Sequence, residues 1–264
     1  MRRIIKAFTP PILWSLGRKI KNGLIIKKEA SQEDGISTTN HGIFYYENEG
    51  AFKFLYNDYF IKEKYKFEST NQKPLIIDGG ANIGVGCRYW KFLYPESEVI
   101  AFEPDELNFS LLNKNMINIP GFRAEKKALW STNGALKFHA VGGESGYVAK
   151  ANAEIGNPEF VVVPAFRLRD LLNRKIDLLK LDIEGGEMEV LRDCKDYLHN
   201  VERIFVEHHS FLESPQQLSD FFGVLENAGF RINVQVDIPA KQPFLKRYIY
   251  NKKYSWINVF GFRN

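Results

Sequence analysis

The sequence predicts an α/β domain built on a mostly parallel sheet with helices on both faces. Three observations carry this. Short apolar runs rich in β-branched residues alternate with stretches of helical spacing, the pattern of strands joined by helical crossovers. The first such run, Leu75-Ile76-Ile77, closes in Asp78 and the cluster Gly79-Gly80-Ala81-Asn82-Ile83-Gly84, which reads as a buried strand feeding a tight turn into a helix. The next run, Val99-Ile100-Ala101-Phe102, closes in Glu103, 25 positions after Asp78.

A length of 264 residues suits one such domain with additions, and 44% apolar with 26% charged residues describes an ordinary globular chain. Cys87 and Cys194 lie far apart without metal-ligand spacing, which suggests a reducing compartment and no disulfide framework. The net charge of +4 is uneven: residues 1–28 carry eight basic side chains and no acid, leaving a body of −4. A mildly acidic body argues against nucleic acid as the main partner.

Taken in order, Met1 to Lys28 mixes those basic residues with apolar ones and Trp14, interrupted by Pro10-Pro11. No apolar run there approaches the roughly 20 residues of a membrane span, and no cleavage site follows an apolar core. The segment reads either as a basic amphipathic element for peripheral contact with an anionic membrane face or as a helix packed on the domain. Cytoplasmic placement, at most peripheral to the inner face of a membrane, is the expectation. Glu29 to Asn40 reads as a linker, so residues 1–40 form a lead segment. Residues 41–74 form an aromatic-rich helical lead-in, with Phe52, Leu55, Tyr56, Tyr59 and Phe60 on one helix face, covering the cofactor mouth or simply packing in the core. The main domain is expected over 75–264.

Within it, a helix follows the glycine turn through Tyr94, and a second spans Asn108 to Asn118, ended by Pro120-Gly121. Phe122 to Trp130 reads as the third strand with its turn, and Gly134–Val141 and Phe160–Pro164 as additional strands around the loop Gly142 to Gly146. That loop is either a substrate-facing insertion or a plain hairpin. Ile176 to Asp182 is the next buried strand and Glu187 to Cys194 a helix. Arg203 to His208 is a strand, and Ser214-Pro215 opens a helix that stops at Gly229. Arg231–Val236 and Trp256–Phe262, with Lys241 to Lys253 between them, lie too close in sequence for a helical crossover and are expected to pair antiparallel.

An acid about 20 residues beyond a glycine turn in a βαβ unit is placed to accept hydrogen bonds from ribose hydroxyls, so the first unit reads as a site for an adenine nucleoside. A dinucleotide fingerprint would need a second glycine where Ala81 and Asn82 follow Gly80. An NAD-dependent nucleotide-sugar oxidoreductase is therefore an alternative without its fingerprint, and a non-catalytic membrane-peripheral binding protein is another. Three ordered motifs also resemble a known family: Ile77-Asp78-Gly79-Gly80-Ala81-Asn82-Ile83-Gly84, Ala101-Phe102-Glu103-Pro104, and Leu178-Leu179-Lys180-Leu181-Asp182-Ile183-Glu184-Gly185-Gly186-Glu187. Together they resemble the FkbM family of S-adenosylmethionine-dependent methyltransferases. The resemblance implies a Rossmann-like class I methyltransferase fold, with a seven-stranded sheet and an antiparallel last strand. It also implies O-methylation of a hydroxyl on a sugar, glycan or secondary metabolite, as in polysaccharide biosynthesis.

On that reading the cofactor set is Asp78, Gly80, Asn82, Gly84, Glu103, Ala128 and Asp182. Asp78 would bond the glycine loop or the methionine amino group, Glu103 the ribose diol, and Ala128 would lie by the adenine. Both acids could instead fix loops or cap helices. Lys180, Asp182 and Glu184 would share a face if their strand continued to Glu184. The catalytic set is Asp182, Glu184 and His208, any of which could take the acceptor's proton. A divalent metal such as Mg2+, held by Asp182, Glu184 and Glu207, could lower the hydroxyl pKa instead. The residues leave base and metal open.

Overall fold

The computed structural model describes residues 34–139, 147–148, 160–211, 215–236, 242, 244–245 and 253–263. The basic segment at 1–28, the loop at 142–146 and most of the connection at 241–253 lie outside the described residues. No helix among the described residues is long and apolar enough to cross a membrane.

The chain opens with strands β1 (Gly35–Thr39) and β2 (Gly42–Tyr46), then helix α1 (Glu49–Tyr56). Next come β3 (Leu75–Gly79), α2 (Val85–Leu93), β4 (Glu98–Phe102), α3 (Glu106–Asn115) and β5 (Phe122–Glu125). Strands β6 (Ala128–Trp130), β7 (Gly134–His139), β8 (Tyr147–Val148) and β9 (Phe160–Arg167) follow. The remainder is β10 (Leu178–Leu181), α4 (Glu187–Cys194), β11 (Arg203–Phe211), α5 (Leu218–Asn227), β12 (Arg231–Gln235) and β13 (Lys253–Phe262).

Seven strands form the main sheet in the order β12-β13-β11-β10-β3-β4-β5. The five from β11 to β5 run parallel, and β13 enters antiparallel between β11 and β12. The order reverses between β3 and β10, so a crevice opens beyond their carboxyl ends. All five residues of β3 are buried, as expected of a central strand covered on both faces. One core packs Ile77, Leu179, Ile204 and Val206 against α4 and α5; the other packs Ile76 and Val99 against α2, α3 and the lead-in aromatics.

Four expectations are corrected. The stretch read as a linker forms β1, paired antiparallel with β2, so residues 35–46 are a hairpin. Its Gly-Ile-Ser-Thr-Thr sequence lacks the apolar alternation that marks a strand. The stretch from Phe122 to Trp130 is two strands in two sheets: β5 ends the main sheet, while β6 joins β9, β7 and β8 in a separate four-stranded sheet. Strand β10 stops at Leu181, and Glu184 takes a left-handed conformation, so Lys180, Asp182 and Glu184 do not continue one strand. Helix α5 begins at Leu218, with Pro215 outside it.

The lead-in is pinned from the sheet. The buried Asp177 carboxylate accepts from the Leu75 amide, Ser69 Oγ and Asn71 Nδ2, at 2.9, 3.0 and 3.2 Å. Asn48 caps α1 by accepting from the Ala51 amide. That helix runs on into one wider turn with π-type bonding at Asn57–Ile61, which buries Asp58 and Tyr59. Such a turn re-aims the side chains it carries.

Candidate functional site

A cavity of about 120 Å³ opens at the switch point. Its floor is the glycine turn from Gly80 to Asn82 together with Asp182 and Glu184, and Glu103 stands in its wall. Gly80 sits at φ +75°, where a Cβ would collide with the Asp182 carbonyl. Only glycine lets the β3 and β10 loops touch at this point. The Asp182 amide donates to the Gly79 carbonyl at 3.1 Å, completing the contact.

Glu103 is 6% exposed. Its two oxygens accept from the amides of Asn82, at 2.8 Å, and Asp105, at 3.0 Å. The carboxylate therefore fixes the loops on both sides and still has lone pairs for the cavity. Burial pushes its carboxyl up to about 7, against the lowering effect of these two donors. Asn82 stands at φ +51°, and its side chain accepts from the Ile83 amide. Ala128 and Leu129 of β6, with Phe138 of β7, supply apolar lining to the same cavity. An apolar slot beside a buried carboxylate fits an adenine with its ribose diol.

Asp78 and Gly84 lie elsewhere. Asp78, 1% exposed, is beneath the floor; it accepts from Cys87 Sγ at 3.2 Å and pairs with Lys180 Nζ at 3.1 Å. Lys180 also donates to the carbonyls of Gly79 and Gly80, at 3.2 and 2.8 Å. Burial by itself would depress the Lys180 ammonium pKa, but Asp78 and Asp182 outweigh it and the pKa is raised. Asp78 thus anchors the lysine that holds the loop, and it is not in the cavity wall. Gly84 starts α2 at φ +85°, and a Cβ there would meet Leu112 of α3 at 2.6 Å. Its role is helix packing.

The acids beyond β10 and β11 converge. Asp182 keeps 31% side-chain exposure on the cavity side. Its carboxyl is raised to about 7, first by loss of water and then by Glu207, against the pull of Lys180. His209 Nε2 lies 3.2 Å from Glu207 and 3.4 Å from Glu184, and its Nδ1 lies 3.1 Å from Glu187. Burial would lower the imidazole pKa, but Glu184 and Glu187 raise it well above its usual value. Glu187 is itself buried and accepts from the amide of Gly185 and, at 3.3 Å, from that of Ile183.

His208 is not part of this group. Side chains alternate along β11, so His208 projects to the α5 face, where its ring stacks on Phe221 with centroids 4.6 Å apart. Burial there lowers its pKa. The histidine that the fold brings to Asp182 and Glu184 is His209. The register shows why: Asp78, Lys180 and Phe205 are lateral neighbours across β3, β10 and β11, so Glu207 and His209 share their face. Choosing the histidine of the same parity as Glu207 would have found it.

The lead-in contributes a further wall. Tyr59, from the wider turn after α1, reaches the cavity with Leu55 and Tyr65 and stacks on the Tyr65 ring at 4.2 Å. A Cβ at Gly86 would meet the Tyr59 hydroxyl at 2.8 Å, so glycine in the first turn of α2 makes room for it. Burial, then Tyr65, pushes the Tyr59 phenol well above its usual range.

Comparisons with known proteins bear on the family and the fold. The family described as the methyltransferase FkbM domain matches residues 78–232. Methyltransferase 1 of Beauveria bassiana is 28% identical over 222 residues, covering 75% of this chain and 88% of the relative. The 2-O-methyltransferase NoeI of Sinorhizobium fredii is 26% identical, covering 51% and 63%. The hexuronic acid methyltransferase AglP of Haloferax volcanii is 26% identical, covering 54% and 59%. The solved structure of a methyltransferase FkbM from Methylobacillus flagellatus superposes with a TM-score of 0.51 at 13% identity, covering 78% of this chain and 48% of that one. The seven-stranded sheet with its antiparallel last strand, β13, is the class I methyltransferase fold expected from the sequence.

Proposed function

This chain belongs to the FkbM methyltransferase family, and on that footing we propose that it transfers a methyl group from S-adenosylmethionine to a hydroxyl of a sugar or related small metabolite. The observation that carries the cofactor assignment is Glu103, a buried carboxylate in the wall of the switch-point cavity, which Ala128, Leu129 and Phe138 also line. Glu103 accepts from the ribose hydroxyls, Ala128 and Leu129 face the adenine, and the Gly80–Asn82 loop borders the amino-acid end. When bound, S-adenosylmethionine supplies a methyl group already activated by its sulfonium. What the chain adds is alignment and removal of the acceptor's proton, and alignment alone contributes as much as about 7 to 11 kcal/mol in favourable systems.

Asp182 is the group placed for the proton. It faces the cavity, and a carboxyl near 7 is matched to proton transfer at neutral pH. Glu184 borders the same floor. His209 lies among three carboxylates and links the acids of β11 to those beyond β10. An oxygen acceptor on a sugar is supported by two relatives, one named a 2-O-methyltransferase and the other a hexuronic acid methyltransferase.

The test is calorimetric titration with S-adenosylhomocysteine and, separately, NAD, followed by transfer of labelled methyl from S-adenosylmethionine to a sugar panel. Micromolar binding of S-adenosylhomocysteine, lost in a folded Glu103→Ala variant, is the expected result. Binding of NAD instead, or of neither ligand, would overturn the reading.

A further inference from the structure

We infer that Asp182, Glu207 and His209 form a binding site for one divalent first-row metal ion, opening onto the cavity where the acceptor hydroxyl approaches. Each of the three offers a donor atom, and these atoms lie within 4.8 Å of one another, close enough for one ion to touch all of them after small side-chain adjustments. Acids gathered at a strand end are common without a metal, so the argument rests on the histidine. Its side chain is fully buried, and Nε2 is aimed into the acids, 3.2 Å from Glu207 and 3.4 Å from Glu184. The opposite nitrogen, Nδ1, is taken by Glu187, whose carboxylate is held by the amides of Gly185 and Ile183.

A carboxylate that fixes one ring nitrogen so that the other points into an acidic pocket is the arrangement that orients a metal-binding imidazole and selects its tautomer. Two carboxylates and one imidazole leave coordination positions for solvent or an acceptor oxygen, and Asp182 lines the cavity. The imidazole favours a borderline first-row ion such as Fe2+ or Zn2+ over Mg2+, which prefers oxygen alone; Mn2+ accepts oxygen and nitrogen together and is the paramagnetic probe. Charge points the same way. Asp182, Glu184, Glu187 and Glu207 face Lys180 and His209, so even with the histidine charged the carboxylates outnumber the cations by two.

The use of the ion rests on the methyl-transfer reading, since a cation there would favour loss of the acceptor's proton; its binding does not. The probe is Mn2+ added to the full chain, followed by calorimetry and by pulsed electron paramagnetic resonance, with S-adenosylhomocysteine titrated on the same preparation. One Mn2+ per chain with nitrogen modulation from an imidazole is expected. His209→Leu should abolish that modulation, and Glu207→Gln should weaken binding at least tenfold. Absence of one-to-one binding, or binding without nitrogen coupling, would overturn the site even where S-adenosylhomocysteine binds normally. Mn2+ binding with nitrogen coupling but no S-adenosylhomocysteine binding would leave the site standing and remove the cofactor assignment instead.

Discussion

The ammonium of Lys180 stands 3.1 Å from the Asp78 carboxylate beneath the glycine loop, with both side chains at least 95% buried. One ion pair thus ties the two central strands on either side of the switch point, and the same ammonium bonds the Gly79 and Gly80 carbonyls. Removing one partner leaves a buried charge uncompensated, which costs about 3–5 kcal/mol. Lys180→Met is therefore expected to lower denaturant stability by that amount and to weaken S-adenosylhomocysteine binding by loosening the loop. Chemical denaturation and calorimetry on one preparation check both effects, and unchanged stability would mean that the pair is not needed.

Glu103 makes stability depend on pH. An ordinary glutamate titrates at about 4.3, and burial brings this one up to about 7 in the folded chain. Between those values the folded state holds a proton that the unfolded state has lost, so stability falls as pH rises through the window. Asp182 adds a slope of the same sign. Thermal unfolding from pH 5 to 8 should show the decline, and Glu103→Gln should flatten Glu103's share of it. The affinity for S-adenosylhomocysteine should move the other way, rising toward pH 8 as the carboxylate ionises.

Replacing Gly80 by alanine tests the contact between the two loops. The residue sits at positive φ, and the added Cβ meets the Asp182 backbone. Backbone strain and overpacking together predict a loss of about 2–5 kcal/mol. Urea unfolding measures it; a near-neutral outcome would mean that the loops move apart easily.

The two adjacent histidines should behave differently. His208 is buried on Phe221, and its Nδ1 has no hydrogen bond. His208→Leu exchanges a buried polar ring for an apolar side chain, so its effect on stability should stay within about 1.5 kcal/mol and methyl transfer should persist. His209→Leu leaves Glu187 without its buried partner and should abolish transfer. Equal losses in both variants would refute the assignment of the two faces.

The strands were readable because a fully buried parallel strand must be a short apolar run, as in Leu75-Ile76-Ile77 and Leu178-Leu179. Glu103 was readable because the fold fixes the spacing between a glycine turn and the next strand end. The hairpin at 35–46 was not, since its outer residues face solvent and its sequence need not alternate. Asp78 and Gly84 carry motif positions yet serve contacts beneath and behind the cavity, a distinction of depth that spacing along the chain does not encode. The places of Tyr59 and Tyr65 depend on packing across distant sequence, and a helical stripe of aromatics does not say what it will touch.

Strand β13 lies between β11 and β12 in the sheet although it comes after both in the chain. A nascent chain that has emerged as far as β12 therefore has nothing to pair with the outer edge of β11, and β12 has no neighbour at all. Until β13 is made, that edge presents open backbone donors and acceptors to any other strand nearby. Glu207 and His209 ride on β11. The edge of the strand that carries Glu207 and His209 is thus paired only after β3 and β4, which lead into the glycine turn and Glu103, have been synthesised.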